Sequence, residues 1–176
     1  MANNDQEIVD SMREDRRIAE NYILNYTVLK KEYESGKAEW MEKSRPPADT
    51  NTGGGKGNLP GHPVEDAAIK SAEYDADHSE YLWLKAVGIA FRTFDAKRRI
   101  YIACRQRAEH DANQWRGRKS WVVYTQMSYD EEIKKHFINL NGWMSERTVR
   151  RWWRQIIDRV VEIHLRIKKL TRTPFN

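Results

Sequence analysis

The sequence predicts an all-α protein. Apolar residues recur at alternating spacings of four and three along the N-terminal stretch, where Ile8, Met12, Ala19, Tyr22, Tyr26, Leu29 and Tyr33 fall on nearly one helical face. The same alternation returns near the C-terminus through Val149, Trp153, Ile156, Val160, Ile163, Ile167 and Leu170. The one strand-like run, Trp121-Val122-Val123-Tyr124, has no visible partner strand.

The first element is a helix from about Asn4 to Tyr33 whose seam Asp15 interrupts, within an N-terminal helical segment of residues 1–43. A seam this long needs a covering surface, supplied by the rest of the chain or by a second copy. Residues 44–63 hold Arg45-Pro46-Pro47, Thr52-Gly53-Gly54-Gly55-Lys56-Gly57 and Leu59-Pro60-Gly61, the composition of a flexible linker. A phosphate-binding loop is set aside, because Gly55-Lys56 is followed by Gly57 where the motif needs Ser or Thr.

Residues 64–115 form a central helical region. Val64 to Glu73 is a short helix, and Ser79 to Thr93 carries Leu84, Val87 and Phe91 at helical spacing. Asp95 is an N-cap for a helix reaching about Asn113, with Ile100, Tyr101, Cys104 and Ala108 facing inward, so residues 79–113 suggest a helical hairpin. Its Lys97-Arg98-Arg99 run reads as solvated surface. Between 114 and 128 a strand, a buried connector and a short helix are all compatible with the residues.

In the C-terminal region, residues 116–176, Ser128 is expected to cap a helix running through Leu140, with Ile133, Phe137 and Leu140 inward. Asn141-Gly142 ends it, Trp143-Met144 fills the corner, and Ser145 opens a last helix from Glu146 to Leu170. Two helices around a tight glycine turn make a helix-turn-helix.

Composition limits what such a chain can be. Its 176 residues are 39% hydrophobic and 32% charged, enough for one compact region with appendages. With no apolar run of about 18 residues and no signal-peptide core after the polar start, a cytoplasmic protein is expected. Cys104 lacks a disulfide partner and sits in an apolar stretch, as buried thiols do. The net charge of +5 is unevenly spread: residues 1–115 carry 17 Lys and Arg against 20 Asp and Glu, whereas residues 116–176 carry 14 against 6. A basic C-terminal third attracts polyanions, and a duplex is the obvious one.

Little points to catalysis, and no cofactor is expected. Asp75-Ala76-Asp77-His78 with Glu80 could ligate a metal, but acidic caps are expected there and no second cluster accompanies them. His62, His110, His136 and His164 are scattered, without a nucleophile motif nearby. The sharper pattern is Ser145-Glu146-Arg147-Thr148-Val149-Arg150-Arg151-Trp152-Trp153-Arg154. At 100° per residue, Val149, Trp152, Trp153, Ile156 and Val160 gather on one side, while Arg147, Arg151, Arg154 and Asp158 lie opposite and Arg150 flanks them. Arginines near the start of a recognition helix reach guanine edges with paired hydrogen bonds, a role assigned to Arg147 and Arg151. Arg150 and Arg154, with Arg118 and Lys119 upstream, are placed to hold phosphates.

The run Ser145-x-x-Thr148-Val149-Arg150, followed by Trp152, Ile156 and Val160, resembles the DNA-binding helix of sigma-factor region 4, although Gly142-Trp143-Met144-Ser145 is one residue longer than the usual turn. Across residues 59–170 the order resembles RinA/ArpU-type phage transcriptional regulators: Leu59-Pro60-Gly61-x-Pro63, then Arg99-Ile100-x-Ile102, then the sigma-like helix-turn-helix. The resemblance implies a late-gene activator in the bacterial host that binds double-stranded promoter DNA, with Ser145 and Thr148 at the DNA helix beside the arginines, and host RNA polymerase as a further partner. Two other readings stay open: a small terminase subunit, which pairs a helix-turn-helix with oligomerising helices, and an adaptor whose basic face meets acidic protein. A homo-oligomer through the N-terminal or last helix is compatible with each.

Overall fold

A computed structural model describes residues 2–43, 63–111, 120–137 and 141–172. The described residues form seven α-helices and no strand: α1 Ala2–Leu24, α2 Tyr26–Lys43, α3 Pro63–Asp77, α4 Glu80–Thr93, α5 Ala96–Asp111, α6 Trp121–His136 and α7 Glu146–Arg172. The all-α class is thus the observed one. None of the described helices is long and apolar enough to cross a membrane. The chain divides into two compact units, one of residues 1–26 and 82–176, the other of residues 27–81.

The larger unit holds the core. Its central strut is α7, whose stripe Val149, Trp153, Ile156, Val160 and Ile163 is buried, with Ile167 half-buried beyond it. Each fully buried aliphatic side chain contributes about 1.5–3 kcal/mol relative to exposure, and Val149, Ile156 and Val160 are completely covered. The same buried cluster takes in Ala19 and Ile23 of α1, Ala86, Val87 and Ala90 of α4, Tyr101 and Cys104 of α5, and Val122, Tyr129 and Ile133 of α6. Helix α1 runs antiparallel to α7, since Arg16 pairs with Asp158 at 2.8 Å and Glu20, one turn later, accepts the Trp153 indole N–H at 2.7 Å. Helix α5 packs chiefly on α6, with Lys97 near Phe137 at one end and the Tyr124 hydroxyl donating to Asp111 at the other. Burial pushes the Cys104 thiol up to about 11, which suits a thiol serving as core.

Several sequence expectations are corrected. The N-terminal helix is not continuous to Tyr33. It breaks at Asn25, whose backbone N–H and side-chain amide both donate to the Asn21 carbonyl, at 3.0 and 3.2 Å. The side chain thus shares the acceptor of its own backbone N–H, a local bond of the kind that competes with helical regularity. A second helix, α2, then continues to Lys43.

Ser128 is not a cap. It lies inside α6, which starts after Ser120, and the strand-like Trp121-Val122-Val123-Tyr124 is helical. The reason is tertiary: Val122, Thr125, Gln126, Tyr129 and Ile133 are buried at helical spacing, and that burial outweighs the β-preference of the first turn. Nor is the α6–α7 connection a tight turn. Helix α6 closes at Phe137, α7 opens at Glu146, and residues 141–145 between them are non-helical; Leu140 lies outside the described residues. Met144 fills the corner as expected, but Trp143 is 65% exposed. Leu170, assigned to the packing stripe, is 77% exposed.

The second unit is built differently. Its part of α2 buries nothing completely, and aromatic contacts replace an aliphatic core: Tyr33 against Tyr74 and Tyr81, and Trp40 against Tyr74. Asp75 accepts the Tyr33 hydroxyl at 2.5 Å and pairs with Lys37. Burial and that carboxylate hold the Tyr33 hydroxyl well above the usual tyrosine range. His78 stacks on Tyr74, and its Nδ1 bonds the Tyr74 carbonyl at 2.8 Å. The acidic run considered as a metal ligand set is therefore partly spent on Tyr33, Lys37 and Tyr74, and no group of metal-ligating side chains occurs among the described residues.

Candidate nucleic-acid interface

Helix α7 begins as its sequence requires. The Ser145 Oγ accepts the Thr148 N–H at 3.2 Å and shares a 3.0 Å hydrogen bond with the Thr148 hydroxyl. One orphan donor of the first turn is thereby satisfied, and Glu146 adds an anion where the helix dipole favours it. Three contacts from other helices fix the start of α7. The Tyr101 hydroxyl donates to the Val149 carbonyl at 2.7 Å, the Gln126 amide donates to the Met144 carbonyl at 2.6 Å, and Gly142 lies so close to α6 that a Cβ there would stand 2.8 Å from the Asp130 Cα.

With the inner side of α7 anchored, its outer side is free. Arg147, Arg150, Arg151 and Arg154 are all exposed. Arg150 is 3.8 Å from Glu146 and 5.9 Å from the centre of the Trp121 ring. Arg147, Arg151 and Arg154 form no ion pair with another described residue. One turn further on the pattern changes: Asp158 is held by Arg16, and Glu162 by Arg159 and Arg166, whose hydrogen bonds lower the Glu162 carboxyl. The first three turns of α7 thus carry a run of uncompensated positive charge that the middle of the helix lacks. Thr148 is half-buried, with its hydroxyl engaged by Ser145. Arg118 and Lys119 lie outside the described residues.

The indoles point the other way. Trp153 is buried and Trp152 half-buried, ringed edge-on by Tyr101 and Tyr129.

Two features were missed by reading the sequence. In the Lys97-Arg98-Arg99 run, Lys97 and Arg99 are exposed as expected, but half-buried Arg98 lies 5.8 Å from the Trp152 ring and 3.5 Å from Gln155, the residue one turn after Arg151. A signal was present: three cations in the first turn after the Asp95 cap oppose the helix dipole, so helix stability does not account for them. The second is Arg105, 4% exposed, held between the rings of Trp121 at 4.4 Å and Trp153 at 5.1 Å and paired with Glu109 at 2.7 Å and Glu20 at 3.8 Å. It joins α1, α5, α6 and α7 beneath the basic face. Nothing in the local sequence separates it from exposed Arg107.

No family model, no curated protein and no solved structure matches this chain.

Proposed function

We propose that this chain is a sequence-specific double-stranded DNA-binding regulator, reading DNA with the first three turns of α7. The observation that carries the reading is the row Arg147, Arg150, Arg151 and Arg154, exposed on a helix whose opposite side is the core and whose start is fixed by Ser145, Tyr101 and Gln126. A rigid helix with unspent guanidinium groups at its N-terminal end suits entry into a major groove, where arginine pairs with guanine and neighbouring cations hold phosphate. Arg98 adds a cation beside the same face. The resemblance to RinA/ArpU-type regulators supplies the setting, activation of late phage genes together with host RNA polymerase.

The test is capture of genomic fragments by the purified protein across a salt series. A sequence-selective footprint upstream of a gene cluster supports the reading. Steep salt dependence without sequence preference reduces it to general DNA binding, and absence of DNA binding at low salt rejects it.

A further inference from the structure

We infer that the paired ends of α1 and α7 form a self-association surface whose occupant is a second copy of this chain. The two antiparallel helices share one inner stripe, which is fully covered in the middle and runs out uncovered at the far end. On α1, Ala19 and Ile23 are fully buried, yet Met12 and Ile8, at nearly the same helical angle, are 54% and 53% exposed. On α7, Val160 and Ile163 are buried, while Leu170 on the same stripe stands open. Leucine, methionine and isoleucine set in register on two neighbouring helices make half of a four-helix bundle.

Charge selects a like copy as the other half. Up to Arg13 the end of α1 carries Asp5, Glu7 and Asp10 against that one arginine, with Glu14 held by Arg17 behind it, whereas the end of α7 carries Arg166, Lys168 and Lys169 against Glu162. One patch therefore holds an acidic rim and a basic rim side by side. A two-fold axis through its apolar centre lays the acidic rim of each copy on the basic rim of the other, the self-complementarity that an isologous dimer requires. A uniformly acidic or basic partner would satisfy only one of the two rims.

The experiment is sedimentation analysis of the full chain in a concentration series reaching about 100 µM. The expected mass is twice the 20.9 kDa of one chain. Replacing Ile8→Gln together with Met12→Gln, both exposed and both exchanged for a good helix former, should return the mass to that of a monomer with an unchanged helical circular-dichroism signal. A second arm tests the rims. Lys168→Glu with Lys169→Glu, and separately Glu7→Lys with Asp10→Lys, should each weaken self-association, and mixing the two proteins should restore it as a heterodimer. A wild-type monomer throughout the series, a dimer indifferent to the glutamine pair, or a closed ring of many subunits would each overturn the inference.

Discussion

The guanidinium of Arg105 lies 4.4 Å from the centre of the Trp121 ring, with Trp153 on another side of it at 5.1 Å. A buried cation between two indoles is stabilised by their π-faces, and here Glu20 and Glu109 balance its charge. Arg105→Ala removes this joint between four helices. A loss of about 3 kcal/mol in unfolding free energy is expected, read as a shift of the urea midpoint. Arg105→Lys should recover only part of it, because an ammonium cannot stack as a planar guanidinium does.

Ser145→Ala deletes the acceptor of the Thr148 N–H. The expected cost is about 1 kcal/mol in the same assay, and Ser145→Asp should restore most of it, since an aspartate caps as well and favours the positive end of the dipole.

Gly142→Ala places a Cβ 2.8 Å from the Asp130 Cα and 3.0 Å from the Ile133 Cβ. Both neighbours belong to α6, so neither yields as a flexible side chain would. A destabilisation of about 1–3 kcal/mol is expected, visible as a lowered melting temperature.

His164 is buried, stacked on Trp83 with ring centres 3.6 Å apart, and its Nδ1 has no partner among the described residues. Burial holds its pKa below the ordinary 6.5, assisted by Lys168 and opposed by Asp15. The unfolded chain therefore binds a proton near that ordinary value which the folded chain resists. The associated stability is fully present above about pH 6.5 and is lost as pH falls toward and through the folded value. Urea midpoints at pH 7.5 and 5.0 should differ more for the wild type than for His164→Gln. An equal pH response in the two proteins would remove His164 as the cause.

Arg147→Ala and Arg151→Ala remove exposed side chains without ion pairs to described residues, so unfolding free energies should stay within about 0.5 kcal/mol of the wild type. On the proposed function, each should weaken binding to a selected DNA site by about 1–3 kcal/mol and relax base preference at one position. Wild-type affinity in both variants would move the DNA contact away from α7.

Much of this architecture was legible where one residue type settles a local question. Ser145 and Asp95 are side-chain caps, and each accepts a backbone N–H three residues on. The stripe from Val149 to Ile163 reads directly as the buried side of α7. The failures lie where local preference and tertiary burial disagree. At Trp121-Val122-Val123-Tyr124 the residues alone leave strand, connector and short helix open, and the burial of Val122, Thr125 and Gln126 at helical spacing goes with the helix. Asn25 interrupts a helix that its apolar spacing would continue, with its amide bonded to the carbonyl and the side-chain oxygen of Asn21. Arg105 needed knowledge of four helices at once, since its burial depends on Glu20, Glu109, Trp121 and Trp153 converging from distant parts of the chain.

Helix α7 divides its duties around its circumference. The side bearing Val149, Trp153 and Ile156 is buried in the core, and the side bearing Arg147, Arg151 and Arg154 is exposed. On the proposed function, exchanging the outer letters would change what the helix contacts at little cost to the scaffold that holds it out.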